Sequence, residues 1–169
     1  VRWLERGRGS GARGDWRGSS RHCPPVAPKV NAYTSAMTEV QPYTVERTYE
    51  GFEVRSYPDH QVVEVEVDGN FFQAGNRGFR PLIAYISGNN SQRTQIAMTA
   101  PVIQAPTPTG SQTVSFVMPA SMDAAAVPTP SDPVVRSRQV PAGLVAARIF
   151  SGGSSDARFA ENAAELLAA

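Results

Sequence analysis

The same short pattern occurs twice in this chain, about 80 residues apart, and this repetition limits the possible folds more than any other feature. Val-Arg-Ser at 54–56 recurs at 135–137, and the apolar strand pattern at 62–67 recurs at 144–150. Repetition at a nearly fixed offset indicates an internal duplication, here of a hairpin, a helix and two strands. Chance similarity between two short amphipathic hairpins is the alternative.

The first copy begins with two segments in which apolar and polar residues alternate, at 52–57 and 62–67. Alternation with a period of two is typical of half-buried strands, and Pro-Asp-His at 58–60 is typical of a turn. We therefore predict a β-hairpin. The side chains expected to face the core are Val63, Val65 and Val67.

A helix is predicted after these strands. Asn70, with Gln73 three residues later, is a plausible N-cap, and Ser-Gly at 87–88 stops the run. Pro81 removes an amide from the helical ladder, so we expect it to kink the helix or divide it. The apolar residues at helical spacing are Phe72, Phe79, Leu82 or Ile83, and Ile86.

Two further strands are predicted at 95–104 and 112–119, and apolar residues alternate in the second from Val114 to Met118. A proline-rich connection follows at 119–133. Because proline fixes the backbone and supplies no amide to a ladder, we expect an ordered but irregular loop.

The segment at 94–102, Thr-Gln-Ile-Ala-Met-Thr-Ala-Pro-Val, is nearly apolar on both faces of an extended strand. Such a pattern is typical of a strand covered on two sides. Pro101 cannot donate to a central ladder, so it must lie at an edge, an end or a bulge. We interpret the segment as mainly architectural, with small residues that allow close approach of the helix at 71–86. Direct ligand contact is the alternative.

Residues 1–36 differ in composition from the rest of the chain. They are rich in Gly, Arg, Ser and Pro and carry a net charge of +5, against −4 for the remainder. Their apolar surface is too small to offset the entropy of ordering, so we expect disorder. Three interpretations stay open: a non-native extension before Met37, an organelle transit segment, and a thiolate or imidazole offered to iron by Arg-His-Cys-Pro at 21–24.

Composition limits the class of protein. With 169 residues and 41% hydrophobic content, one domain with a real core is expected at 37–169. No apolar run is long enough to span a membrane, and a net charge of +1 does not favour nucleic acid. Cys23 is the only cysteine, so the domain has no disulfide. This predicts a reducing, cytoplasmic location, or an organelle if residues 1–36 are a transit segment.

No catalytic or metal-binding pattern is evident in the sequence. It contains no Ser/His/acid set, no paired histidines at ligand spacing, no phosphate-binding glycine loop and no carboxylate pair. Outside the tail, His60 is the only histidine. A turn histidine after Pro-Asp is more often a solvated loop residue than an axial ligand to iron. We therefore predict that the protein is not an enzyme.

Several sequence blocks, matched in order and spacing, resemble the SOUL haem-binding protein family. They are Tyr-Glu-Gly-Phe-Glu-Val-Arg-Ser-Tyr at 49–57, Gly-Phe-Arg-Pro-Leu-Ile-Ala-Tyr-Ile-Ser-Gly-Asn-Asn at 78–90, Gln-Ile-Ala-Met-Thr-Ala-Pro-Val at 95–102, and Ser-Phe-Val-Met-Pro at 115–119. The third block is the most specific. The resemblance covers residues 45–169 and none of the tail.

The resemblance implies an α+β fold, an antiparallel, distorted β-barrel of two repeated halves with a helix packed on each. Family members normally continue past the second helix with two more strands. We therefore expect a truncated second repeat here. Exposed edge strands would then allow the chain to pair with another copy as an oligomer.

The resemblance also implies binding of haem or a related tetrapyrrole in an apolar groove beside the first helix, without a universal protein ligand to iron. The matching positions here are Phe72, Phe79, Leu82 and Ile83, although residues at this spacing are often plain core. We predict a haem or porphyrin carrier or buffer without catalysis. The alternatives are a small-molecule effector-binding or protein-interaction module on the same barrel, and an enzyme acting on a bound tetrapyrrole or lipid.

Overall fold

The computed structural model describes residues 2–6, 38–151 and 155–169. The strands are β1 (Arg2–Arg6), β2 (Glu39–Val40), β3 (Thr44–Tyr49), β4 (Phe52–Tyr57), β5 (His60–Val67), β6 (Thr99–Ala100), β7 (Val102–Pro106), β8 (Gln112–Val117), β9 (Arg136–Val140) and β10 (Gly143–Phe150). The helices are α1 (Phe71–Ile86) and α2 (Asp156–Ala168). The predicted α+β class is confirmed.

The strands form two four-stranded sheets and one small sheet. The first sheet has the order β1-β10-β4-β3, the second has the order β7-β8-β5-β9, and β2 pairs with β6. Pairing is antiparallel except for β1 with β10 and β2 with β6. No ladder joins the first sheet to the second, so no closed barrel is found among the strands that the structure describes.

The predicted hairpin is wrong, although both of its strands form. β4 pairs with β3 and β10, whereas β5 pairs with β8 and β9, so the two lie in different sheets. Alternation of apolar and polar residues predicts a strand but not the strands with which it pairs. Here residues 58–59 connect β4 in the first sheet to β5 in the second. The two predicted copies of the repeat exchange strands. The first strand of one copy, β4, pairs with the second strand of the other, β10, and β5 pairs with β9 in the same way.

Helix α1 begins as its sequence predicts. The Asn70 side-chain oxygen accepts from the amide of Gln73 at 2.9 Å, which satisfies one of the unpaired donors of the first turn. The helix continues through Pro81 to Ile86, so the alternative in which the proline divides it is wrong. The proline lies in the third turn, beyond the four N-terminal amides that lack a helical partner.

The main core lies between α1 and the second sheet. Val63 and Val65 of β5 are buried against Leu82, Val114 and Phe116. The predicted inward face of β5 is thus confirmed for these two valines, and Val67 is half-buried. The helix comes close to the sheet at Gly78, where an added Cβ would lie 2.8 Å from the Val114 side chain and 3.1 Å from Val65. This glycine, on the helix, sets the close approach that we attributed to the segment at 94–102.

The segment at 94–102 is only partly a strand. Thr99 and Ala100 form β6, a cis peptide bond follows at Ala100-Pro101, and the next strand begins at Val102. Pro101 therefore lies at a strand end, as its missing amide requires. Ile96 is buried in the main core, whereas Val102 is 41% exposed, so only part of the segment is covered.

The connection at 119–133 contains no helix or named strand and is joined by hydrogen bonds to α1 and to the segment that follows α1. The Tyr85 hydroxyl donates to the carbonyl of Pro128 at 2.7 Å. Asn90, which is buried, donates to the carbonyls of Tyr85 and Thr94 and accepts from the amide of Thr94. The predicted ordered but irregular loop is confirmed.

Helix α2 packs on β10 and meets α1 at its N-terminal end. The rings of Phe71 and Phe159 stack at 3.9 Å between centroids, and Asp156 accepts from the amide of Phe72 at 3.0 Å. The two helices are therefore joined by a ring contact and a hydrogen bond at their first turns.

Strand β1 occupies part of the tail for which the sequence predicts disorder. It pairs in parallel with β10, whose backbone groups on that side would otherwise lack a strand partner. Most of the tail, including the Arg-His-Cys-Pro sequence at 21–24, lies outside the described residues. The expectations about that part stay predictions.

Candidate functional site

Three of the four residues matched to a tetrapyrrole groove lie on one side of α1. Phe72 is 55% exposed, Phe79 is 40% exposed, and Ile83 is half-buried against the core. Residues seven and eleven positions apart return to nearly the same side of an α-helix. We call the surface formed by Phe72, Phe79 and Ile83 the α1 flank.

Leu82, the fourth matched residue, lies in the interior. It has no exposed surface and belongs to the main core with Val63 and Phe116. Its position is about 100° around the helix from Ile83, which is enough to separate core from flank. The structure therefore brings three matched residues together and gives Leu82 a packing role.

The α1 flank packs against a buried ring of the second sheet, and a positively charged side chain lies beside it. The Phe79 ring packs edge-on against Phe116, with 5.1 Å between centroids. Arg80 is exposed and, within the part of the chain that the structure describes, forms no ion pair. Arg77 is also exposed and donates to the carbonyl of Asp68 at 3.3 Å.

These residues fit the chemistry of haem. Haem is a flat apolar ring with two anionic propionates at one edge. Exposed aromatic rings offer a face for the macrocycle, and an unpaired arginine offers charge-assisted hydrogen bonds to a carboxylate. The sequence of α1 contains no His, Cys or Met, so the flank would hold the ring by apolar contact and not through iron.

Two cavities lie elsewhere, the larger between β2, the start of β5 and the loop after β8, and the smaller between the first and second sheets. The larger cavity has a volume of about 560 Å³ and the smaller about 280 Å³. The larger is bordered by three carboxylates, those of Glu39, Asp59 and Asp123, and by no Lys or Arg. Gln41 and His60 line both cavities.

The wall between these cavities contains polar atoms without partners. The Nδ1 atom of His60 lies 2.9 Å from the carbonyl of Pro58, which can only accept, so in the neutral ring Nδ1 carries the proton and Nε2 is an acceptor. That Nε2 is buried and has no hydrogen-bond partner, and the same is true of Nε2 of Gln41. Buried polar atoms are nearly always satisfied, so this pair is unusual.

Sequence reasoning missed this second site. It treats His60 as a solvated loop residue, but the histidine begins β5 and its ring is half-buried. Gln41 carries no sequence signal at all, because its burial depends on the pairing of β2 with β6 and on its own amide, which donates to Ala100 at 2.7 Å.

Two absences among the described residues limit the chemistry. Among them, no group of three or more His, Cys, Asp or Glu side chains is placed to hold a metal ion. No helix in the described ranges is both long enough and apolar enough to cross a bilayer.

The comparison with known families agrees with the blocks seen in the sequence. The family model described as SOUL heme-binding protein matches residues 38–169. No curated protein matches the chain. The family match covers well over half of the sequence and includes both helices and every strand from β2 onward. The chain therefore belongs to the SOUL haem-binding protein family, and haem is the ligand that this membership supports.

Proposed function

We propose that the protein binds haem or a related porphyrin on the α1 flank, as a carrier or buffer and without catalysis. The observation that carries this proposal is the row of Phe72, Phe79 and Ile83, two of which are large aromatics left open to solvent. Exposed apolar side chains grouped on one side of an element are a common mark of a binding surface. Arg80 beside the row supplies the charge that propionates require.

The exposed aromatic area is sufficient for useful affinity. Phe72 and Phe79 are 55% and 40% exposed. Covering that area at about 25 cal/mol per Å² would contribute on the order of 5 kcal/mol from these two side chains. The ligand buries a similar area, and association costs part of the gain. We therefore expect dissociation constants that are roughly micromolar.

Iron should contribute little to this binding, because the flank offers no axial ligand. Haemin and an iron-free porphyrin titrated into the full chain should show similar affinities, measured by the shift of their Soret bands. A sharp loss of affinity without iron would instead implicate His60. Binding of neither, together with a defined oligomer in gel filtration, would favour the protein-interaction module.

The Phe72→Glu substitution tests the location of the site. Phe72 is largely exposed, so the fold should tolerate the change, while a charged side chain removes apolar contact and repels propionates. We expect haemin binding to weaken roughly a hundredfold, because Phe72 has more than half of the contribution of about 5 kcal/mol given above. The matched control is Leu167→Glu on α2, at a residue 64% exposed and remote in sequence from α1. Equal effects of the two changes would contradict the proposal.

We also infer that the two halves of the domain derive from one duplicated unit arranged as halves of a distorted barrel. The reciprocal pairing of β4 with β10 and β5 with β9 supports this inference, since a twofold relation between copies produces such an exchange. The contact between α1 and α2 at their first turns agrees with it.

A further inference from the structure

The larger cavity, between β2, the start of β5 and the loop after β8, has a charge pattern opposite to the one that haem requires. Its lining includes the carboxylates of Glu39, Asp59 and Asp123 and no basic side chain except His60. All three acidic residues are exposed at the cavity surface, where an entering molecule meets them. A ligand with propionates would be repelled here, whereas a cation would be attracted.

We propose that this cavity binds a small aliphatic polyamine, a chain of methylene groups that carries two or more ammonium groups. The proposal is independent of haem binding on the α1 flank. The volume, about 560 Å³, lies in the range usual for small-molecule sites. The remaining steps concern the carboxylates, the apolar lining residues and the buried polar atoms.

The carboxylates have no positive partner among the described residues. Each accepts one hydrogen bond from an uncharged donor: Glu39 from the amide of Ala120 at 2.8 Å, Asp59 from the Gln139 side chain at 3.3 Å, and Asp123 from the amide of Ala126 at 2.8 Å. Each carboxylate has two oxygens and about four acceptor positions, so most of its capacity is left for a ligand.

The spacing of the carboxylates selects an extended cation over a metal ion. They line one cavity, yet within the described ranges no three acidic, His or Cys side chains converge closely enough to hold a metal. A ligand that satisfies them must therefore reach from one to another. The mixed lining also includes the apolar residues Val117, Met118 and Met122, which suit methylene groups.

The wall itself provides a second and independent indication of a ligand. Gln41 is only 6% exposed, lines the cavity, and has a side-chain nitrogen without a partner. His60 Nε2 is a buried acceptor that lacks a donor. An ammonium group can donate to Nε2 of His60. It can also donate to Oε1 of Gln41 if the side-chain amide is rotated by 180°, which exchanges the positions of its nitrogen and oxygen.

The experiment is a calorimetric titration of spermidine into the full chain, at low and at high salt. We expect binding that weakens as salt rises, because exposed carboxylates are screened. An uncharged diol of matching length should bind far less well. The absence of measurable spermidine binding would overturn the proposal, because the buried polar atoms would then contact only water. Binding of Mg²⁺ with equal affinity would also overturn it, because the carboxylates would then attract any cation.

The Asp123→Asn substitution tests whether spermidine binds in the larger cavity. It removes one charge at an exposed position and keeps an oxygen for the amide of Ala126, so the fold should persist. Spermidine should bind roughly tenfold more weakly. Glu161→Gln on α2 removes the same charge at an exposed position that does not line the cavity and should leave affinity unchanged. Equal weakening by both variants would overturn the proposal.

Discussion

At the scale of single residues, neighbours on α1 have different roles that sequence spacing cannot separate. Leu82 and Ile83 both continue the apolar stripe, yet Leu82 is fully buried and Ile83 is a half-buried part of the α1 flank. Apolar residues that recur at helical spacing predict the face of a helix that avoids water. They do not predict which of these side chains are covered by other parts of the same chain. The exposure of Phe72 and Phe79 could therefore be found only from the structure.

Tyr85 gives a residue-scale prediction for alkaline solution. Burial disfavours the phenolate and raises the pKa of Tyr85 from 10.0 to about 12. The folded chain then keeps a proton that the unfolded chain loses, so this stabilisation is complete below pH 10 and is lost as pH rises toward 12. The free energy of unfolding should fall by up to about 1.4 kcal/mol per pH unit in that window.

Tyr85→Phe is the variant that isolates this effect. It should cost about 1 kcal/mol at neutral pH, because the carbonyl of Pro128 loses its donor. Its unfolding free energy, measured in urea, should fall less steeply above pH 10 than that of the native chain. Identical slopes would show that the tyrosine does not retain its proton in the folded state.

Gly78 gives a second residue-scale prediction, about packing. A Cβ at this position would lie 2.8 Å from two atoms of Val114, so Gly78→Ala must displace the helix or the strand. We expect a net loss of about 1–2 kcal/mol in thermal or urea unfolding, after the gain in helix propensity. Gly75→Ala is the control, because its Cβ would meet only the side-chain end of Gln104, which donates to the carbonyl of Phe71, and it should destabilise less than Gly78→Ala. A stabilised Gly78→Ala variant would contradict the proposed close approach.

At the scale of elements, the sequence predicts helices and strands better than their partners. The cap of α1 and the extended segments of β4 and β5 are local features, and the structure confirms them. The inward faces are less regular than alternation predicts, because Arg55 is buried in β4 and Val62 is buried beside Val63 in β5. The hairpin fails because pairing depends on strands more than 70 residues away, β9 and β10. Nor could spacing reveal that Gly78, inside the helix, permits close contact with the sheet.

The N-cap of α1 gives the element-scale prediction. Asn70→Ala removes the oxygen that accepts from the amide of Gln73, so the free energy of unfolding should decrease by about 1 kcal/mol. Asn70→Ser should retain most of the stability, since serine caps nearly as well. Asn76→Ala, at an exposed position inside the same helix, controls for loss of the amide group and should be neutral or stabilising. Equal losses at both positions would argue against the cap.

At the scale of the whole molecule, two surfaces of opposite character lie on one domain. The α1 flank is apolar and bordered by arginine, whereas the larger cavity is bordered by three carboxylates. The family blocks in the sequence predict haem as a ligand, which family membership supports, and α1 as its place, which stays a prediction. They contain no sign of the cavity, which exists only because β2, the start of β5 and the loop after β8 come together.

The most direct test of the central claim is the map of amide signals that haemin alters in the nuclear magnetic resonance spectrum of the full chain. Iron in haemin is paramagnetic and broadens the signals of nearby residues. We predict that broadening centres on Phe72, Phe79 and Ile83, and that the iron-free porphyrin shifts the same signals. Broadening centred on His60 and Gln41, with an unaffected α1, would contradict the account.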